Sequence, residues 1–232
     1  MSNRSTTRRR AQPPPPPPAP DRRKVFAIAA AAVVVVVVVG VIIALAGGGK
    51  DGDGNGGSND SQASAKPVFG PVTVTGDALA AFSPDGADPA SGEAAPKVEG
   101  VTLERTPISI GEPGKPTFIA FLAHWCPHCQ RELPVLVKLA DEGAFKDVRL
   151  VAVLTGTDAK APNFPPAAWL DKEGWSGEVL LDDEGFKAAN SFGLKGYPFL
   201  VTLDAEGRVV SRTSGEVPEE GIIDMIESAK GG

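Results

Sequence analysis

The chain has 232 residues, 42% of them hydrophobic, with two cysteines, two histidines and a net charge of −6. Seven basic residues and one acid give residues 1–24 a net +6, and Val25 to Ala46 carry no charge, so the remaining −12 falls on residues 47–232. That acidic balance excludes a nucleic-acid binder, which needs a basic footprint, and the uneven composition fits one folded domain better than a domain count taken from length.

The basic tail contains an unbroken proline run, Pro13–Pro18. Such a run makes neither helix nor sheet ladders and reads as an extended spacer, or as a ligand for a partner's aromatic groove. Val25–Ala46 is an apolar stretch of 22 residues, about 33 Å long as a helix and sufficient for a hydrocarbon core of about 30 Å. We read it as one transmembrane helix in contact with the lipid bilayer. Seven consecutive valines, Val33–Val39, are poor helix formers in water, but a single segment in lipid satisfies its backbone only as a helix. The preceding basic residues keep the N-terminus cytoplasmic and place the rest of the chain outside. Two alternatives use the same residues: Ala44-Leu45-Ala46 resembles a cleavage site that would release a secreted domain, and Arg22-Arg23 resembles a twin-arginine export signal. Residues 47–66 are rich in Gly, Ser, Asp and Asn and read as a flexible linker.

Residues 67–232 form the predicted folded domain, with its core over about 101–229. Its lead-in shows weak signals. Val72–Thr75 alternates like a short strand, and Val101–Ile110 holds two more candidates around Pro107. Frequent prolines suggest an edge hairpin or an ordered arm. Thr117–Ala123 is nearly continuous apolar sequence, as expected of a central strand covered on both faces. Pro127 suits the first position of the following helix, Leu133, Leu136, Leu139 and Ala140 mark its buried face, and Pro134 should kink it. Val148–Thr155 reads as a strand, Pro166–Glu173 as a short helix containing Trp169, and Val179–Leu181 as a small strand. A helix is predicted over Glu184–Phe192, closed by Gly193, and a hairpin over Phe199–Leu203 and Val209–Arg212. A last helix covers Gly221–Ala229. This order predicts an α/β fold, a mixed sheet with helices on both faces.

The chemistry concentrates in Cys126-Pro127-His128-Cys129, which holds both cysteines, with His124 and His128 each two residues from Cys126. Two residues between the cysteines put both sulfurs on the first turn of one helix, where they can bridge and separate reversibly. Helix N-terminal N–H groups favour a thiolate at Cys126, the predicted nucleophile, and Cys129 is the predicted resolving thiol. A permanent staple is the competing reading, but so short a loop removes little chain entropy. Outside the cytoplasm thiol–disulfide chemistry on client proteins is ordinary.

Residues 121–129, Phe-Leu-Ala-His-Trp-Cys-Pro-His-Cys, with Gly196-Tyr197-Pro198 downstream, resemble the thioredoxin superfamily over about Val101–Ala229. The membrane segment, Glu132-Leu133-Pro134 and the strand–helix insertion resemble its TlpA-like and ResA-like thiol–disulfide oxidoreductases, while the Pro127-His128 dipeptide resembles DsbA-type oxidases. The resemblance implies that Pro198 is cis and faces the cysteines, that the Tyr197 backbone pairs with an extended client, and that Trp125 shields the pair and supports docking. It also implies protein thiols and disulfides as substrates, a redox partner that recycles the pair, and no cofactor. Where thioredoxins carry a buried acid on the central strand, this chain has Ala120. Glu132, one turn past Cys129, is then a candidate for proton transfer, with an exposed helix glutamate as the alternative.

His128 between the sulfurs would favour the thiolate and make the disulfide more oxidising, whereas the scaffold resembles reductases, so the residues leave the direction of electron flow open. His124 reads as a solvated or hydrogen-bonded residue before Trp125, with a direct role as the alternative. His124, Cys126, His128 and Cys129 also offer soft and imidazole ligands for Cu(I) or Zn, an alternative function as a metallochaperone. A peroxidase is disfavoured by Ala123, where peroxiredoxins want a threonine.

Overall fold

The computed structural model describes residues 68–231. The basic tail, the proposed membrane segment and the linker lie outside them, and among the described residues no helix is long and apolar enough to cross a membrane.

The main sheet grows outward from β4 (Thr117–Leu122), all six of whose residues are buried. β5 (Arg149–Leu154) pairs with it in parallel, and β6 (Glu178–Leu181) extends the parallel set. On the other side β7 (Phe199–Leu203) pairs with β4 antiparallel and β8 (Val209–Ser214) follows it, giving the order β6-β5-β4-β7-β8. Side chains alternate along β4, so Phe118, Ala120 and Leu122 belong to one core while Ile119 and Phe121 belong to the other.

Three helices supply the first core: α1 (Pro127–Asp141) through Leu133, Leu136 and Leu139, α2 (Pro166–Glu173) through Trp169 and Leu170, and α4 (Glu219–Lys230) through Ile222 and Ile226. α1 is unbroken, with Pro134 inside it.

The second face also carries a helix, as expected, but a short one. Its one helix, α3 (Lys187–Ser191), contributes Ala188 and Ala189. Most of the cover comes from the lead-in, which is more than an edge hairpin. β1 (Thr73–Thr75), β2 (Lys97–Val101) and β3 (Pro107–Ile110) form a separate three-stranded antiparallel sheet that buries Val98, Ile108 and Ile110. Between β1 and β2 the chain runs irregularly over the sheet, inserting Leu79 and Ala90 and bonding to Ser191, Gly193 and Val209 through its backbone.

α3 is also shorter than the predicted Glu184–Phe192. Asp182, at the end of β6, accepts hydrogen bonds from the Ala188 and Ala189 N–H groups, and Asp183 accepts from Lys187. These carboxylates satisfy the first N–H groups of the helix from outside it, while Phe186 adopts a left-handed backbone with φ 57° that stops the helix reaching back to Glu184.

Candidate active site

β4 ends at Leu122 on the sheet's central axis, and the next residues carry Cys126 to the start of α1. Cys126 caps that helix with extended backbone, φ −74° and ψ 120°, and Pro127 takes the first helical position. The arrangement follows from the sequence, because proline tolerates N1 and its missing N–H would be unpaired there anyway. Cys126 and Cys129 carry free thiols in the structure. Cys126 is 6% exposed and Cys129 fully buried. Burial pushes the Cys129 thiol well above its ordinary range, with smaller contributions from Cys126 and Glu132.

Across from α1, the Tyr197–Pro198 peptide is cis, and the Tyr197 carbonyl lies 3.8 Å from Cys126 Sγ. The Tyr197 ring packs edge-on to Trp125 with centroids 5.9 Å apart, and Trp125 Nε1–H donates to the Gly156 carbonyl at 2.6 Å. Gly156 is the small residue this contact requires: its φ is +62°, and a Cβ there would lie 2.8 Å from the Tyr197 hydroxyl. Burial raises the Tyr197 phenol above its usual range. Trp125 itself remains 37% exposed beside Cys126.

Behind the cysteines stands Glu132, and here the exposed alternative is overturned. Glu132 is 2% exposed; its Oε2 accepts the Val217 N–H at 3.1 Å and its Oε1 has no partner among the described residues. Position explains this: Glu132 lies three residues past Cys129 and shares its face of α1, which turns into the first core. Desolvation raises its carboxyl to about 7, opposed by the Val217 bond. Ala120 belongs to the same core as Cys129, so the helix supplies the acid that the strand lacks.

The two histidines turn away from each other. His124 is 1% exposed, its Nδ1 lies 2.7 Å from the Pro162 carbonyl, and its Nε2 accepts the Asp158 N–H at 3.3 Å. Both ring nitrogens are therefore engaged by the loop after β5, which His124 anchors beside the active site. His128 points outward instead, with 57% of its side chain exposed and Nδ1 2.6 Å from Glu216 Oε1. Arg131 joins them, its Nη2 also 2.6 Å from Glu216 Oε1. The metallochaperone alternative gains no support: His124 and His128 turn to separate partners, and among the described residues no three His, Cys, Asp or Glu side chains are placed to hold a metal.

Sequence reasoning missed Glu216, Arg131 and Gly156 as parts of this site. Only Arg131 carried a signal, since it follows His128 at the i+3 spacing of neighbours on a helix; Glu216 arrives from 88 residues beyond His128.

A dithiol at the start of the helix that follows the central strand, facing a cis-proline before an antiparallel strand, defines a thioredoxin-like oxidoreductase. The chain belongs to the Redoxin family, whose model matches residues 90–229. Among its relatives, a thiol-disulfide oxidoreductase ResA from Halalkalibacterium halodurans is 27% identical over 133 residues, covering 57% of this chain and 70% of the relative. The thiol:disulfide interchange protein DsbE of Haemophilus influenzae is 33% identical over 107 residues, 46% of this chain and 55% of its own length. In fold, the chain resembles the crystal structure of a putative DsbE from Chlorobium tepidum, with TM-score 0.52 and 23% identity over 60% of this chain and 96% of that one.

Proposed function

We propose that this protein exchanges disulfides with protein clients outside the cytoplasm, through Cys126 and Cys129, on a domain tethered to the membrane by Val25–Ala46. What carries the reading is one contrast: Cys126 sits at the helix start beside the Tyr197 carbonyl, while Cys129 is sealed behind it next to a buried carboxyl.

In the reducing direction the Cys126 thiolate attacks a client disulfide, forming a mixed disulfide and releasing one client sulfur as a thiolate. Cys129 then loses its proton, attacks Cys126 Sγ and releases the second client thiolate, leaving the Cys126–Cys129 disulfide. In the oxidising direction a client thiolate attacks Cys126 of that disulfide, Cys129 leaves and takes up a proton, and a second client thiolate then attacks the client sulfur of the mixed disulfide, forming the client disulfide and releasing Cys126 as a thiolate. Burial opposes charge on Cys129, so both directions need a proton carrier at that sulfur. Glu132, with a carboxyl raised to about 7 and one oxygen unpartnered, takes that role. Trp125 and the Tyr197–Pro198 backbone receive the extended client beside Cys126, the cis-proline offering no N–H to the sulfurs. His128 acts on the thiolate from the helix start. A second redox protein restores the pair after each turnover.

Cys126→Ser should abolish insulin reduction, and Cys129→Ser should accumulate mixed disulfides detectable on non-reducing gels. Retained turnover in both variants would sink the proposal.

A further inference from the structure

In sequence the Pro127-His128 dipeptide puts an imidazole between the two cysteines, but in the fold that side chain turns outward and does not stand alone. Glu216, in the turn between β8 and α4, receives it: Oε1 lies 2.6 Å from His128 Nδ1. Arg131 closes the triangle with Nε 3.0 Å from both Glu216 oxygens and Nη2 2.6 Å from Oε1. Arg131 Nη2 is also 3.0 Å from His128 Nδ1. One carboxylate is thus shared by both basic side chains at the mouth of the active site.

We propose that Glu216 is a positioning residue for the thiol pair, a counter-charge that offsets what Arg131 and His128 present to the Cys126 sulfur and keeps the Cys126–Cys129 disulfide less oxidising than its dipeptide alone would make it. The inference rests on the exchange chemistry proposed above.

Positive charge near Cys126 stabilises the thiolate, hence the reduced form, and makes the disulfide a stronger oxidant. An acid bound to the Arg131 guanidinium works in the opposite sense. Glu216 is in its charged form at neutral pH: the Arg131 guanidinium first, then His128, draw its carboxyl down to about 2. His128 and Arg131 belong to the helix that Cys126 caps, within its first two turns, and the Arg131 guanidinium is held above its ordinary value mainly by Glu216 and additionally by Cys126. Of the other charges nearby, Glu132 is on the buried face of α1 and accepts the Val217 N–H, and Lys138, about two turns past Arg131, is occupied by Glu219. Glu216 is therefore the acid that decides the net charge at this rim.

Equilibration of the protein with glutathione reads the effect directly, with Cys126 and Cys129 giving two electrons and two protons to glutathione disulfide. Glu216→Gln keeps the shape and an acceptor oxygen but removes the charge. It should lower the equilibrium constant for oxidation of the dithiol by about three- to tenfold, tenfold being about 30 mV for two electrons. Arg131→Gln should raise that constant, since it leaves Glu216 facing the site with less compensation. Glu216→Asp retains the charge and should stay near the wild type. A bridge that mattered only for structure would give the same sign of change when broken from either end. Equal signs for Glu216→Gln and Arg131→Gln, or no change in potential where the melting temperature shows the bridge lost, would overturn the proposal. Should Glu216→Gln fail to fold, the Arg131→Gln and Glu216→Asp potentials still decide it. A wild-type protein without a reversible two-electron couple would instead defeat the exchange reading itself.

Discussion

Glu132 is a carboxyl held inside the protein at a cost in stability. Its value rises from 4.5 to about 7 on folding, so the folded state holds its proton across a range where the unfolded chain has lost it. Stability from this group is complete below about pH 4.5 and declines as pH rises through 7. Glu132→Gln should therefore stabilise the domain at pH 8, by an amount on the order of 3 kcal/mol before local relaxation, while slowing resolution of mixed disulfides. Urea unfolding of both proteins at pH 5 and pH 8 checks it: the difference should be small at the lower pH and open at the higher. Nothing in residue identity distinguished this glutamate from a solvated one. The 85-residue return of the chain that brings Val217 to its oxygen did.

The elements most at risk are those held by single side chains rather than by ladders. Arg212 on β8, with a fully buried side chain, makes a bidentate pair with Asp88 and donates to the Ala80 and Phe192 carbonyls, both at 2.8 Å. Three separated pieces of chain, the irregular lead-in, the end of α3 and β8, meet on this one guanidinium. Gly193 makes room for it, since a Cβ there would lie 2.4 Å from the Ala80 oxygen and 2.8 Å from Arg212 Nη1. Removing one partner of a buried pair leaves the other desolvated, so Asp88→Ala should cost about 3–5 kcal/mol in chemical denaturation. The same pair sets an acid limit. Arg212 holds the Asp88 carboxyl below its ordinary 3.8, so its contribution is present above about pH 4 and is lost as pH falls through the lower folded value. The wild type should accordingly lose more stability between pH 4 and 2 than Asp88→Ala does.

As a whole the domain is a sheet covered by helices on the active-site face and largely by its own lead-in on the other. Val72 and Leu79 are buried against Ile119, Phe121 and their neighbours, worth about 1.5–3 kcal/mol each. Loss of residues 68–96 would also strip Arg212 of Asp88 and Ala80. The sum is comparable to the net stability of a typical domain, about 5–15 kcal/mol. A chain lacking these residues should show no cooperative melting transition and should bind a hydrophobic dye; a sharp transition near the wild-type temperature would contradict the role assigned to the lead-in.

The central strand, the helix opened by Pro127, the parallel pair that follows and the thiol pair at the helix start were all legible in the chain. Each depends on a local pattern: a continuous apolar run, an N1 proline, two cysteines at one-turn spacing. Tertiary structure decided where the isolated polar residues went. Glu132 became a buried acid, His124 an anchor for a loop and His128 one arm of a triangle closed by Glu216, because segments far apart in sequence return to the same end of the sheet. It also decided what covers the second face, since the lead-in's weak alternation and prolines specify no element until the sheet gives their apolar residues a surface to bury.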